Sequence, residues 1–229
     1  MAVGGIAINF DAIKEIEQMV LAVRDKCKLR ASAEIKWSNV KARRENAHKE
    51  YAALLFNLCQ EKRVHFHIRF QRVSDWNHEM SGPRKKTDTV SRAYYQLLLH
   101  RPIGFYGHQA KIFVRPDNGE CTEKLSDFVG HLNTDARKKK NCKDAPIRSI
   151  ECQDSKKCHG LQLLDVTLGG FAAIRNGRYL RPEVSKVKKE LAEYIKDLWG
   201  NPDLTKSSPP SQVHFNVWNA KPSVTAPRR

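Results

Sequence analysis

Residues 64–71 set Val64, Phe66, Ile68 and Phe70 in alternation with His65, His67, Arg69 and Gln71. Only an extended chain sorts such a set onto two faces, because successive strand side chains point to opposite sides of a sheet. The spacing therefore predicts a strand with one face in the core. His65 and His67 fall on its polar face, where imidazoles either bind a metal or phosphate or are merely solvated. A half-buried strand needs helices or further strands to cover it, and the flanking sequence supplies both. Residues 41–63 carry Ala47, Tyr51, Leu54, Leu55 and Leu58 on one helical stripe, with Arg43, Arg44, Lys49 and Lys62 facing water. Upstream, residues 3–8 read as a short strand, and Asp11 is placed to cap a helix with Ile13, Ile16, Val20, Val23 and Cys27 on its inner side. Residues 28–37 read as extended.

Downstream, residues 87–100 resume helical spacing through Val90, Tyr94, Leu97 and Leu98 until Arg101-Pro102 ends the helix. Residues 110–115 read as a second strand of the same sheet, delivering the turn Pro116-Asp117-Asn118-Gly119. A helix over residues 123–132 precedes the basic run Arg137-Lys138-Lys139-Lys140, which reads as a loop that either contacts phosphates or is solvated. Residues 147–152 form an extended segment, residues 153–160 a polar turn, and Leu161, Leu164, Leu168, Phe171 and Ile174 a helix expected to pack across the sheet. Pro182 opens a helix with Val184, Val187, Leu191, Ile195 and Leu198 on one stripe. The Pro-containing linker over residues 200–211 then leads to a last strand over residues 213–218. This order of elements predicts an α/β fold, a single domain over residues 1–220, and a disordered basic tail over residues 221–229.

Charge narrows the function. Forty-one Lys and Arg against 25 Asp and Glu leave +16, more than solubility requires, so a polyanion is the expected partner and nucleic acid leads. Two basic clusters are the expected contacts: Arg84, Lys85 and Lys86 in a loop over residues 74–86, and Arg137 to Lys140. The six cysteines contain no C-x-x-C pair. Cys152, Cys158 and His159 lie near one another but lack a fourth zinc ligand. No apolar run approaches a membrane span, and the first residues lack a signal peptide's layout. A cytoplasmic protein with free thiols, not bound to membrane, is expected.

Asp165 stands one turn after Gln162 among leucines, where a carboxylate is costly unless a cation or hydrogen bonds compensate it. The alternative is an acid on the solvent face near the positive end of the helix dipole. Around it the sequence resembles a known family. The loop Asp154-Ser155 followed by Leu-Gln-Leu-Leu-Asp at residues 161–165 and a helix rich in small residues is similar to the signature of the DUF3800 (domain of unknown function 3800) family. Gly-Gly-Ile-Ala-Ile at residues 4–8, Glu-Ile-Lys-Trp at residues 34–37 and Phe-Asn-Val-Trp at residues 215–218 agree in order, so the resemblance spans nearly the whole chain.

The resemblance implies a ribonuclease-H-like mixed sheet flanked by helices and a divalent-metal-dependent nuclease, with Mg²⁺ or Mn²⁺ held by acids from separate elements. On this chain it points to Glu34, Asp117 and Asp165 as ligands, Asp154 as a loop alternate, and Lys36 beside them to neutralise the scissile phosphate. Hard cations take oxygen ligands, which is why carboxylates are needed. Members of the family usually open with a strand bearing Asp-Glu-Ser-Gly, in the middle of the sheet, and Met1 stands just after where it would end. Without that aspartate three acids suit one ion better than two. A start upstream of Met1, a fold that has lost catalysis, and a one-metal site are the three ways to account for this. The competing functions are a non-catalytic nucleic-acid-binding module, its basic loops aided by Trp37, Trp76 and Tyr106 stacking on bases, and an interaction subunit of a larger defence or mobile-element assembly. RNA and DNA are equally compatible with the sequence.

Overall fold

In the computed structural model of the chain, which describes residues 1–72, 86–119, 122–209 and 211–221, the alternating segment is the central strand. β1 (Ala2–Ile8) runs antiparallel to β2 (Val64–Phe70), and β2 runs parallel to β5 (Phe215–Asn219), giving the order β1-β2-β5. The even-numbered side chains of β2 point into the main core. Phe66 stacks on Phe171 of α6 (His159–Arg175) with ring centroids 6.2 Å apart, and Trp199, after α7 (Lys186–Leu198), closes on the same ring at 5.7 Å. α1 (Ile13–Lys26) contributes Ile16 and Val20, α2 (Glu45–Gln60) contributes Tyr51, Leu55 and Leu58, and α7 contributes Leu191 and Ile195 to this core. Gly4 lets α6 approach β1: a Cβ there would stand 3.0 Å from Leu168 Cδ1 and 3.2 Å from the His67 carbonyl oxygen. Leu168 and Phe171 therefore pack across the sheet as their spacing predicts.

The other face of β2 departs from expectation. His67, Arg69 and Gln71 are all buried, and His65 is half-buried. They are covered by α3 (Lys86–His100) and the short α4 (Pro102–Tyr106), whose Phe105 stacks on His67 at 5.3 Å. The Tyr106 hydroxyl sits 2.6 Å from His65 Nδ1 and 3.0 Å from His67 Nε2. His67 Nδ1 is buried without a partner, so the less costly tautomer carries its proton on Nε2 and donates it to Tyr106, which donates in turn to His65. Burial drives the His67 imidazole down to about 3, and it stays neutral. These histidines are polar packing tied through the Tyr106 hydroxyl, which binary patterning reads as a wet face.

The strand predicted over residues 110–115 is real but belongs elsewhere. β3 (Ile112–Val114) pairs in parallel with β4 (Ile147–Ile150) in a separate two-stranded sheet, not with β2. This sheet covers a second core with Leu98, Leu99, Ile103, Leu125 and Leu132. Helix limits shift too. A 3-10 turn (Glu123–Phe128) leads into α5 (Val129–Lys140), so Arg137 to Lys140 form the last helical turn instead of a loop. Lys and Arg are good helix formers, cations suit the negative end of the dipole, and Asn141 stops the helix in the left-handed region at φ 54°. Residues 28–36 form no strand, and Trp37–Asn39 is a 3-10 turn. Asp11 does not cap α1: it lies in a 3-10 turn capped by Asn9. Trp76, Cys121 and the tail from residue 222 lie outside the described residues. No helix among the described residues is long and apolar enough to cross a membrane.

Phe171 lies where the sheet, α6 and Trp199 meet. Phe171→Ala should cost about 3–5 kcal/mol in urea unfolding, whereas Leu180→Ala, at a side chain 66% exposed, should stay within about 0.5 kcal/mol of the wild type.

Candidate functional site

The candidate site is built on the segment that fails to become a strand. Arg24, buried in α1, holds this segment from below: Nη2 donates to the carbonyl oxygens of Arg30 and Ala31 at 2.9 and 3.1 Å. Beyond it, Ile35 is fully buried and its N–H donates to Gln162 Oε1 at 3.0 Å. The other end of the same amide, Gln162 Nε2, donates to the Ser155 carbonyl oxygen at 2.7 Å. One buried side chain thus ties residues 34–37 and the loop after β4 to the first turn of α6. The 3-10 turn completes the frame, with Asn39 Nδ2 donating to the Glu34 carbonyl oxygen at 2.9 Å.

Three acids and a lysine converge on this frame. Lys36 Nζ lies 2.9 Å from Glu34 Oε1 and 3.3 Å from Asp117 Oδ2. Ser155 Oγ donates to Glu34 Oε1 at 2.6 Å. Asp165 Oδ2 accepts the Trp37 N–H at 2.7 Å. Asp117 is brought in by a continuation of the small parallel sheet, where it bridges to Gln153, with the Asn118 N–H donating to the Gln153 carbonyl oxygen. Gly169 lets the Trp37 ring lie on α6, since a Cβ there would come within 2.3 Å of the indole. The Lys188 ammonium sits 5.8 Å above that ring. Next to Asp165 a cleft of about 340 Å³ is lined by Trp37, Ser38, Leu168, Asn176 and Arg178.

The electrostatics follow from this geometry. Burial holds the Asp165 carboxyl above its usual range against the pull of the Trp37 amide and Lys36, and Asp117 and Glu34 push it the same way as burial. For Glu34, burial works upward but the bonds from Ser155 and Lys36 outweigh it, so the carboxyl titrates below its usual range. Lys36 is depressed by burial yet raised on balance by Glu34 and Asp117. An ammonium ion is thus stationed among the carboxylates, as their mutual repulsion requires.

The residues singled out from sequence divide clearly. Glu34, Lys36, Asp117 and Asp165 come together. Asp154 does not join them: it is exposed, and its Oδ1 accepts the Lys156 N–H at 2.9 Å to form the turn before α6. The Trp37 ring lies against Gly169 with Lys188 above it, and the Tyr106 hydroxyl is bonded to two histidines. Arg84 and Lys85 lie outside the described residues, and Lys86 is the first residue of α3. Arg137, Lys138 and Lys139 are exposed at the end of α5, with Lys139 paired to Asp135 at 2.7 Å. Among the described residues no three His, Cys, Asp or Glu side chains form a ready-made metal site. That holds for Cys152, Cys158 and His159 as well, the two cysteines being free thiols. Ser155 escaped the sequence reading as a site residue, although its place in the Asp154-Ser155 loop could have marked it.

Asp165 titrates higher in the folded than in the unfolded chain. Its contribution to stability is therefore full below the unfolded value and is lost as pH rises through the folded one. Asp165→Asn keeps an acceptor for the Trp37 N–H and removes that loss. The variant should equal the wild type in acid and show the higher urea midpoint at neutral pH. Gln162→Leu strands the Ile35 N–H and the Ser155 carbonyl, each costing about 1–3 kcal/mol, which urea unfolding would register. Comparison with protein-family models, with curated proteins and with solved structures returns no match for this chain, and the geometry of Glu34, Lys36, Asp117 and Asp165 is what speaks for the site.

Proposed function

We propose that the protein is a divalent-metal-dependent nuclease of ribonuclease-H-like type that acts on nucleic-acid phosphodiesters. One observation carries this reading: the Lys36 ammonium is bonded at once to Glu34 and Asp117, beside the half-buried Asp165, whose carboxyl burial holds above its usual range. These groups come from three separate elements, and two of the motifs that resemble the DUF3800 family, residues 34–37 and 161–165, meet there through Gln162. The net charge of +16 supports a polyanionic substrate.

The residues fit Mg²⁺ or Mn²⁺ by donor chemistry and by charge. All three acids offer hard carboxylate oxygens, and three carboxylates with one ammonium leave two negative charges, the balance of one divalent ion. Glu34, Asp117 and Asp165 would hold it. A bound ion supplies charge stabilisation for the in-line displacement at phosphorus. Ser155 keeps Glu34 ionised and aimed, the Trp37 amide holds Asp165, and Lys36, once released from Glu34 and Asp117, has the scissile phosphate as its natural counterion. The same lysine supports a second reading, in which it is the permanent counterion of a degenerate site and the chain only binds nucleic acid.

Calorimetry with Mn²⁺, paired with cleavage of labelled single-stranded RNA and DNA, separates the two. Wild type should bind Mn²⁺ and cleave. Lys36→Met should bind the ion more tightly, lacking the competing ammonium, while cleaving more slowly. Asp165→Asn should lose both activities with its circular dichroism unchanged. Absence of heat with both wild type and Lys36→Met would end the catalytic reading and leave the binding module.

A further inference from the structure

A second concentration of charge lies away from the acids, on the side of the sheet covered by α3 and α4. Arg69 of β2 stands opposite Trp218 of β5 in the parallel ladder, its guanidinium 4.8 Å from the indole centroid. Arg101, just past α3, lies 4.9 Å from the same centroid and 5.8 Å from the Phe105 ring. His100 approaches Trp218 at 5.1 Å between ring centroids, and Lys140 Nζ, at the end of α5, is 3.3 Å from His100 Nδ1. The ends of α3 and α5, distant in sequence, thus bring His100 and Arg101 together with Lys140.

Among the described residues no carboxylate balances their charge: neither Arg101 nor Lys140 forms an ion pair with one. Asp135, which faces the same side of α5, is already bonded to Lys139 at 2.7 Å and to the Tyr95 hydroxyl at 2.8 Å. α3 and α5 both end here, and the negative ends of their dipoles favour cations, but each amounts to only about half a charge. The result is legible on His100, which burial and then Lys140, Arg101, Lys139 and Arg69 drive down to about 4. It is neutral and accepts from Lys140. Among the described residues the Arg101 guanidinium bonds the backbone through Nη1, to the His100 carbonyl oxygen at 3.1 Å, and its Nε is buried without a partner, so the half-buried fork, its orientation set by the two aromatic rings, has donor capacity left for an anion.

We propose that Arg101, Lys140 and His100 form a docking notch for one phosphate of a nucleic-acid backbone, separate from the acidic site. The inference rests on the nucleic-acid reading above and adds where the strand is held outside the cleavage centre. Arg101 presents a fork that matches phosphate oxygens, Lys140 supplies a mobile point charge, and His100 becomes a third donor once an anion offsets the surrounding cations. Trp218 already carries two guanidinium groups over its ring, so the notch reads the backbone and not a base, and binding there is independent of sequence.

The test is fluorescence anisotropy with a fluorescein-labelled oligothymidylate over a series of salt concentrations, together with NMR titration of His100. Lys140→Gln and Arg101→Gln should each weaken binding and flatten the slope of log affinity against log salt by roughly 0.7, the value for one phosphate contact on a single strand. Arg101→Lys, which keeps the charge but loses the fork, should recover most of the slope and only part of the affinity. In the wild type the oligonucleotide should raise the His100 titration midpoint. Unchanged slopes and an unmoved His100 in a protein that still binds the oligonucleotide would overturn the notch while sparing the nucleic-acid reading. Failure of the wild type to bind at all would overturn both. A His100 midpoint moved by polyglutamate but not by the oligonucleotide would assign the notch to an acidic protein segment and overturn the proposed occupant.

Discussion

The buried carboxamide of Gln162 is the interaction on which the arrangement turns. A primary amide offers an acceptor and a donor at opposite ends, and here they meet the Ile35 N–H and the Ser155 carbonyl oxygen, groups that no strand or helix satisfies. Buried backbone polar groups must be paired, and Gln162 pairs two that belong to chain segments more than a hundred residues apart. With those fixed, Glu34 and Lys36 emerge on one side of Ile35, Ser155 reaches Glu34, and the Trp37 N–H meets Asp165 one turn along the same helix. The acids gather because the backbone that carries them is clamped.

That clamp opposes a repulsion. Glu34 and Asp117 both raise the cost of ionising Asp165, and the fold serves the three acids unequally. Glu34 gains a hydroxyl and an ammonium, Asp117 shares the ammonium and stays partly in water, and Asp165 has one amide and is left holding its proton more tightly. A purely structural cluster would be expected to neutralise all three or to replace the most buried acid by an amide. Close packing on α6 holds the conflict in place: Gly169 admits the Trp37 indole and Gly4 admits Leu168, leaving little room for the segment carrying Glu34 and Lys36 to relax away.

Helices were the most legible part of the chain. The stripes through Ile16 and Val20, through Tyr51, Leu55 and Leu58, and through Leu191 and Ile195 are buried as their periodicity requires. β2 was legible as a strand but only half legible in burial: no local pattern tells that Phe105 and Tyr106 will cover His65 and His67 and give them hydrogen bonds. The separation of β3 from β2 was likewise hidden, because alternation marks a strand without naming its neighbour. Glu34, Asp117 and Asp165 were reached through a resemblance to a family, and the pairing of Lys36 with two of them follows from side-chain reach that sequence does not carry. Asp154 spends Oδ1 on the Lys156 N–H, since an Asp two residues before a free backbone N–H can close a turn as readily as bind a cation. Arg137 to Lys140 looked like a loop by charge alone, although each residue favours a helix.

We propose that Lys36 holds the place of a metal ion among Glu34, Asp117 and Asp165. Anomalous diffraction from crystals of the protein soaked in Mn²⁺ tests it most directly. One anomalous peak bounded by the carboxylates of Glu34, Asp117 and Asp165 is expected, with the Lys36 ammonium withdrawn from Glu34 and Asp117. A map without a peak there, with Lys36 still bonded to both acids, would contradict it.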